Sequence, residues 1–304
     1  MRDALNRCRW APTYSSCSPW DTWPTGGRNS LHSPIPHERR SLLRAEVKAV
    51  GTHIVYEVNG NGPDLVFLHA GIAHRSMWSP QVEFFSGRFR CISPDARGFG
   101  DTPIGSEPFS RRDDLAKVLD DADAEKVSIV GCSIGAGFAL DFAIENPDRV
   151  EKLVLVGVAP AGFDGVDDLE AIYEEVEAAI DAGDLDRAGR LEARAWVDGP
   201  RRAEESAPEW LRDQVVEWTK PINQITDWGE SLQLDPYAMY RLDQVVAPTL
   251  VIVGNEDSEF VISACQATVE GISDAALVEL EGTAHLPNLE VSEVFNSTVS
   301  AFLE

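Results

Sequence analysis

The chain has 304 residues, 43% of them hydrophobic, and a formal net charge of −25. That is enough apolar sequence for one large core with a smaller insertion, and no apolar run is long enough to span a bilayer. The acidity argues against nucleic acid or anionic lipid as partners, since both bind through basic patches. The five cysteines, Cys8, Cys17, Cys91, Cys132 and Cys265, are odd in number and show neither a disulfide framework nor metal-ligand spacing. A reducing, cytoplasmic compartment and a protein without metal are therefore expected.

Residues 1–43 differ from the rest. They hold Trp10, Trp20 and Trp23, several prolines, and no helical or strand period, which predicts a disordered N-terminal extension. Residues 1–44 carry seven arginines against Asp3, Asp21 and Glu38, a net +4, so the remainder carries −29. Such an arm could bind a partner, or could be upstream translation that adds nothing to the fold; the second is the expectation. It has no continuous apolar stretch of the kind a secretory signal needs. The acidic remainder is also poor in lysine, with five in the chain. That composition suits solubility at high salt, where self-repulsion is screened, and points to a halophilic source over an ordinary acidic cytosolic protein.

From residue 44 the pattern becomes regular. Residues 45–50 and 53–58 predict a hairpin around Gly51-Thr52. Residues 64–68 form a continuous apolar run, the signature of a strand buried on both faces. A helix is predicted over 77–85, a strand over 89–93, a loop over 94–100 and a helix over 111–120. Residues 127–130 predict a strand that runs into Gly131-Cys132-Ser133-Ile134-Gly135, and residues 136–144 a small-residue helix that leaves it. Residues 153–156 are the next strand. Between 160 and 244 the alternation stops. The stretch is helical by period, with 21 acidic residues against eight basic ones, and is expected to be an inserted cap with a solvated acidic face. Strand, helix, strand, helix then resume at 249–253, 261–271, 276–281 and 291–303. The alternation implies a mostly parallel, eight-stranded α/β sheet covered on both faces, built from residues 44–159 and 245–304.

The pentapeptide at 131–135 fits Gly-x-Ser-x-Gly, in which a serine stands on a tight strand-to-helix turn and flanking glycines avoid backbone collisions. A serine hydroxyl needs a base, and the base needs an orienting carboxylate. Of the six histidines only His285 follows Ser133. It lies after a predicted strand and before the last helix, where its loop reaches the carboxyl edge of the sheet. Asp257 follows another buried strand at the same edge and is the predicted acid, with its neighbour Glu256 as the alternative. Two N–H groups should receive the developing oxyanion: those of Ile134 and Gly71. His69 and Arg97 are expected to hold backbone rather than substrate, Trp78 to be core, and Cys91 and Cys132 to be small buried hydrophobes. Of Trp196, Trp210, Trp218, Trp228, Tyr237 and Tyr240, one or two should line the pocket.

From about residue 44 to the C-terminus the chain resembles the cap-bearing branch of the α/β-hydrolase superfamily. The matching pieces are Leu68-His69-Ala70-Gly71, Asp95-Ala96-Arg97-Gly98-Phe99-Gly100, the pentapeptide, Gly254-Asn255-Glu256-Asp257 and Gly282-Thr283-Ala284-His285. The order Ser133, Asp257, His285 is that family's order. One departure is His69-Ala70 where the family usually has His-Gly, since alanine tolerates positive φ poorly. The resemblance implies hydrolysis of an ester, lactone or similar acyl bond with no metal or organic cofactor, and a small neutral ester or lactone cleaved through an acyl-enzyme is the expectation. Ser133 argues against dehalogenase and epoxide hydrolase chemistry, which use an aspartate there. Cofactor-free haloperoxidase (perhydrolase) and carbon–carbon bond hydrolase activities share the triad and stay open, as does a small-molecule receptor with little turnover. The sequence carries no signal for oligomeric state.

Overall fold

The computed structural model describes residues 42–304. The extension expected over 1–43 lies outside the described residues except at its end, where Leu43 already opens the first strand. Strands β1 (Leu43–Ala49) and β2 (Thr52–Asn59) form the antiparallel hairpin. The sheet is completed by β3 (Asp64–Leu68), β4 (Arg90–Pro94), β5 (Val127–Cys132), β6 (Val150–Val156), β7 (Thr249–Gly254) and β8 (Ala275–Leu280). The eight strands run in the order β1-β2-β4-β3-β5-β6-β7-β8. β2 pairs antiparallel with β4 and every later pair is parallel.

Alternating side chains of the central strands feed two cores. Val66 and Leu68 of β3 join one core with α2 (Arg111–Asp121), α3 (Ile134–Glu145) and α7 (Glu259–Gly271). Leu65 and Phe67 join the other, with Phe85 of α1 (Ser79–Phe85). Phe295 and Val299, from the C-terminal helix at Ser292–Leu303, complete it. Trp78 is fully buried in this second core, as expected. The predicted helix over 77–85 starts as a 3-10 turn, Arg75–Trp78, because Pro80 sits in the first turn of α1 and has no N–H to give an earlier carbonyl. Between β6 and β7 the chain leaves the sheet and forms α4 (Glu170–Asp181), α5 (Leu185–Ala193) and α6 (Glu209–Ile222). It returns through a 3-10 stretch, Ala238–Gln244. The closing helix predicted over 291–303 is α9 (Ser292–Leu303), and a short helix, α8 (Pro287–Glu290), precedes it. No helix among the described residues is long and apolar enough to cross a membrane.

Arg97, 1% exposed, is structural. Its Nε and Nη2 donate to the two oxygens of Asp114, at 2.6 and 2.8 Å, and Nη1 donates to the Val50 carbonyl at 2.7 Å. The pair ties the β4 loop to α2 and to the hairpin. Removing one member of a buried pair leaves the other charge uncompensated, at about 3–5 kcal/mol. Asp114→Ala should lower the free energy of unfolding by that amount, read as a fall in the urea midpoint at unchanged slope.

Candidate active site

β5 delivers Ser133 to a turn in a conformation rarely taken by a residue with a side chain, φ 53° and ψ −117°. Such a conformation costs roughly 1–3 kcal/mol and persists only where the surroundings over-determine it. Here the surroundings are backbone. The Ser133 N–H donates to the Val156 carbonyl at 2.8 Å. A Cβ on Gly131 would stand 2.4 Å from the Gly135 oxygen, and one on Gly135 would stand 2.4 Å from the Leu68 oxygen. Both glycines are required by space, since neither has positive φ. Cys132 points the other way. Its thiol is fully buried, 3.6 Å from the His285 carbonyl, and burial pushes its pKa well up.

Asp257 and His285 meet at the ends of β7 and β8. A Cβ on Gly254 would lie 2.2 Å from the Thr283 carbonyl oxygen, so glycine is what lets the two loops run against each other. His285 Nδ1 and Asp257 Oδ2 are 2.7 Å apart, with side chains 2% and 1% exposed. The second carboxylate oxygen, Oδ1, accepts the Ser258 N–H at 2.8 Å. With Nδ1–H given to the carboxylate, the acceptor of the neutral ring is Nε2, which is buried and has no hydrogen-bond partner among the described residues. Glu256, the alternative acid, contributes its N–H to Thr283 instead. The link between serine and histidine runs through β6. Ser133 is bonded to Val156, and the next residue, Gly157 (φ 55°), sits under the imidazole. A Cβ there would be 2.9 Å from His285 Cε1.

The loop after β3 lies against the start of α3. A Cβ on Gly71 would touch Ile134 Cγ2 at 3.4 Å. The departure at Ala70 is absorbed, because Ala70 and Gly71 both keep negative φ and Ala70 is fully buried. His69 is a backbone strut. Its Nδ1 is 2.8 Å from the Ala70 carbonyl and its Nε2 accepts the Ala96 N–H at 2.9 Å. Burial lowers its pKa to about 4, so it stays neutral and can accept that bond. Among the described residues no group of three or more His, Cys, Asp or Glu side chains is placed to hold a metal ion.

Of the six aromatics singled out in the sequence, Trp196 reaches the histidine, with ring centroids 4.3 Å apart. Trp218 meets His74 edge-on at 5.8 Å and Trp228 packs on Phe99 at 5.4 Å, while Trp210, Tyr237 and Tyr240 are exposed. Sequence reasoning missed the groups that hold the His285 loop. Glu290 accepts the Ala284 N–H at 2.8 Å and the Arg202 guanidinium at 2.8 Å. Asn288 and Gln81 tie α8 to α1 across 207 positions, the Gln81 amide donating to the Asn288 carbonyl at 2.9 Å. Single polar residues of this kind carry no local pattern that a sequence could show.

A sequence model described as "Alpha/beta hydrolase family" matches residues 65–298. The chain belongs to the alpha/beta hydrolase family. This hydrolase is 29% identical over 255 residues to a pimeloyl-[acyl-carrier protein] methyl ester esterase of Nitrosomonas europaea, covering 81% of this chain and 97% of that one. It is 28% identical over 273 residues to a 2-hydroxy-6-oxononadienedioate/2-hydroxy-6-oxononatrienedioate hydrolase of Cupriavidus pinatubonensis, covering 83% of this chain and 87% of that one. Its fold is that of a bromoperoxidase from Bacillus anthracis. The two superpose with a TM-score of 0.71 at 22% identity, over 86% of this chain and 99% of that one.

The glycines of this hydrolase allow a paired test. Gly135→Ala drives a Cβ into the Leu68 carbonyl and should cost about 3 kcal/mol or more, seen as a lower melting temperature. Gly137, on α3 two residues on, has nothing within 4 Å of an added Cβ. Gly137→Ala should stabilise the fold by about 0.4–1 kcal/mol in the same assay.

Proposed function

We propose that this hydrolase cleaves small neutral esters or lactones, with Ser133 as nucleophile, His285 as general base and acid, and Asp257 as the orienting carboxylate. One observation carries the reading. A serine held at positive φ on a strand-to-helix turn shares the Val156–Gly157 backbone with a buried His285–Asp257 pair whose Nε2 is left as the acceptor. In the reaction the Ser133 Oγ attacks the carbonyl carbon while Nε2 takes its proton. The imidazolium is stabilised by the Asp257 carboxylate and then protonates the leaving alcohol. The N–H groups of Gly71 and Ile134 are assigned to the carbonyl oxygen as it becomes an oxyanion. Their assignment is supported by the contact between the two segments and by the place of Ile134 at the start of α3. Water, deprotonated by His285, then releases the acyl group. The helices of residues 160–244 serve as the cap that walls the site and excludes water.

The acidic surface fits this substrate class, because a fixed negative field disfavours anionic substrates at low salt. It also fits a salt-adapted cytoplasmic enzyme. Cleavage of a carbon–carbon bond by the same three groups is the second reading, and the similarity to a 2-hydroxy-6-oxononadienedioate/2-hydroxy-6-oxononatrienedioate hydrolase keeps it in view.

The test is steady-state hydrolysis of short-chain p-nitrophenyl esters from low to molar salt, with labelling by a fluorophosphonate. Ser133→Ala should lose the label and about 10⁴–10⁶ in kcat, and Asp257→Asn about 10⁴, by analogy with other serine triads. Wild-type turnover should rise with salt. Labelling without ester turnover would favour the carbon–carbon reading, and turnover surviving in Ser133→Ala would end the serine mechanism.

A further inference from the structure

After α5 the chain makes one wide π-helical turn, Arg194–Asp198. Turns of this kind are rare and often mark functional positions. The local sequence Trp196-Val197-Asp198-Gly199-Pro200 explains what the turn achieves. In an α-helix the Trp196 carbonyl would accept the N–H four residues on, but that residue is Pro200, which has none. Gly199, at φ 76° and ψ 148°, takes the chain out of the helix in a conformation essentially reserved for glycine. The Trp196 carbonyl is thereby turned to another donor, the N–H of His285, at 3.1 Å.

The same residue reaches His285 a second time. Its indole lies over the imidazole, ring centroids 4.3 Å apart and planes inclined by 40°. The turn is seated closely enough to hold this geometry. A Cβ on Gly199 would be 2.2 Å from the Glu256 carbonyl oxygen and 2.9 Å from Ala284 Cβ, so the turn rests on both loops that carry the Asp257–His285 pair. Arg202 fastens it there. Its guanidinium donates to the Asp198 carbonyl at 2.6 Å on the turn side, and to the Gly282 carbonyl at 2.6 Å and Glu290 at 2.8 Å on the histidine side.

We propose that Trp196 is a positioning residue for His285: its carbonyl holds the His285 backbone, its ring fixes the imidazole plane, and the indole face stabilises the imidazolium that forms as Ser133 loses its proton. The proposal rests on His285 being the base. A cation within about 6 Å of an indole centroid is attracted to the ring face. In that mechanism the positive charge develops on His285 as it takes the proton from Ser133. An interaction of that kind raises kcat and leaves substrate binding nearly unchanged.

The experiment compares wild type, Trp196→Phe, Trp196→Leu and His285→Ala on p-nitrophenyl acetate. Alongside it, the low-field proton NMR signal of the His285–Asp257 hydrogen bond is recorded, and also the rate of phosphonylation by a fluorophosphonate, which replaces kcat if the acetate is not turned over. Trp196→Leu should lower kcat roughly tenfold with KM within about twofold, and broaden or displace the low-field signal. Trp196→Phe, which keeps a ring face, should recover roughly a third of the wild-type kcat and restore the signal. Wild-type kcat in Trp196→Leu, or a loss confined to KM, overturns the proposal. If the leucine variant does not fold, the phenylalanine variant decides. A kcat about two- to threefold below wild type at unchanged KM supports the proposal, and a wild-type kcat overturns it. His285→Ala separates the two possible failures. Activity surviving there removes the base itself, whereas an inactive His285→Ala beside an unimpaired Trp196→Leu removes the role of Trp196 alone.

Discussion

Everything at the carboxyl edge of the sheet depends on how closely backbones approach one another around Ser133. Strand β3 reaches Gly135 through the Leu68 carbonyl, β5 folds onto its own helix at Gly131, and β6 holds the serine N–H through Val156. With no side chain in those gaps, the turn has a single way to close, and the strain at Ser133 is borne by the packing of three strands. The same economy recurs at Gly157, Gly254 and Gly199, where missing Cβ atoms leave room for the imidazole ring, the Thr283 carbonyl and the Glu256 carbonyl in turn. The site is thus assembled by close backbone contact. Of its polar side chains, Asp257 and His285 are almost fully buried.

That explains which parts were legible beforehand. The strands could be read because continuous apolar runs such as 64–68 have one stable use, burial on both faces. The pentapeptide could be read because a glycine on each side of a serine, between a strand and a helix, reports the same steric need that the structure displays. Asp257 and Glu256 share the loop after β7, and Asp257, the acid preferred there, is the one that meets His285. The histidine clamp was illegible. The contacts of Arg202, Glu290, Asn288 and Gln81 join positions far apart in the chain, and none of these residues has a neighbour in sequence that hints at its partner. The Ala70 substitution raised a concern about positive φ that the loop does not bear out, since the turn there forms at negative φ.

The helices between β6 and β7 are more than a cover. The segment that carries them touches the neighbouring elements at several points: Asp168 accepts the Glu259 N–H at 3.0 Å at the start of α7, Arg201 pairs with Glu259 at 2.7 Å, and the π-turn rests on His285. This corner of the segment is therefore part of the rigid frame. Its acidic exposed faces and its buried contacts answer to different demands, the first to solvent and the second to the geometry of the site.

The burial of Cys132 has a consequence for handling the enzyme. The thiol next to Ser133 is fully covered, and burial disfavours its thiolate, as it also does for Cys265. Thiolate is the reactive species toward alkylating agents and peroxide. Cys91 is equally covered. Among the described residues no cysteine is open to such reagents, so alkylation of Cys91, Cys132 or Cys265 by iodoacetamide becomes a site-resolved reporter of unfolding.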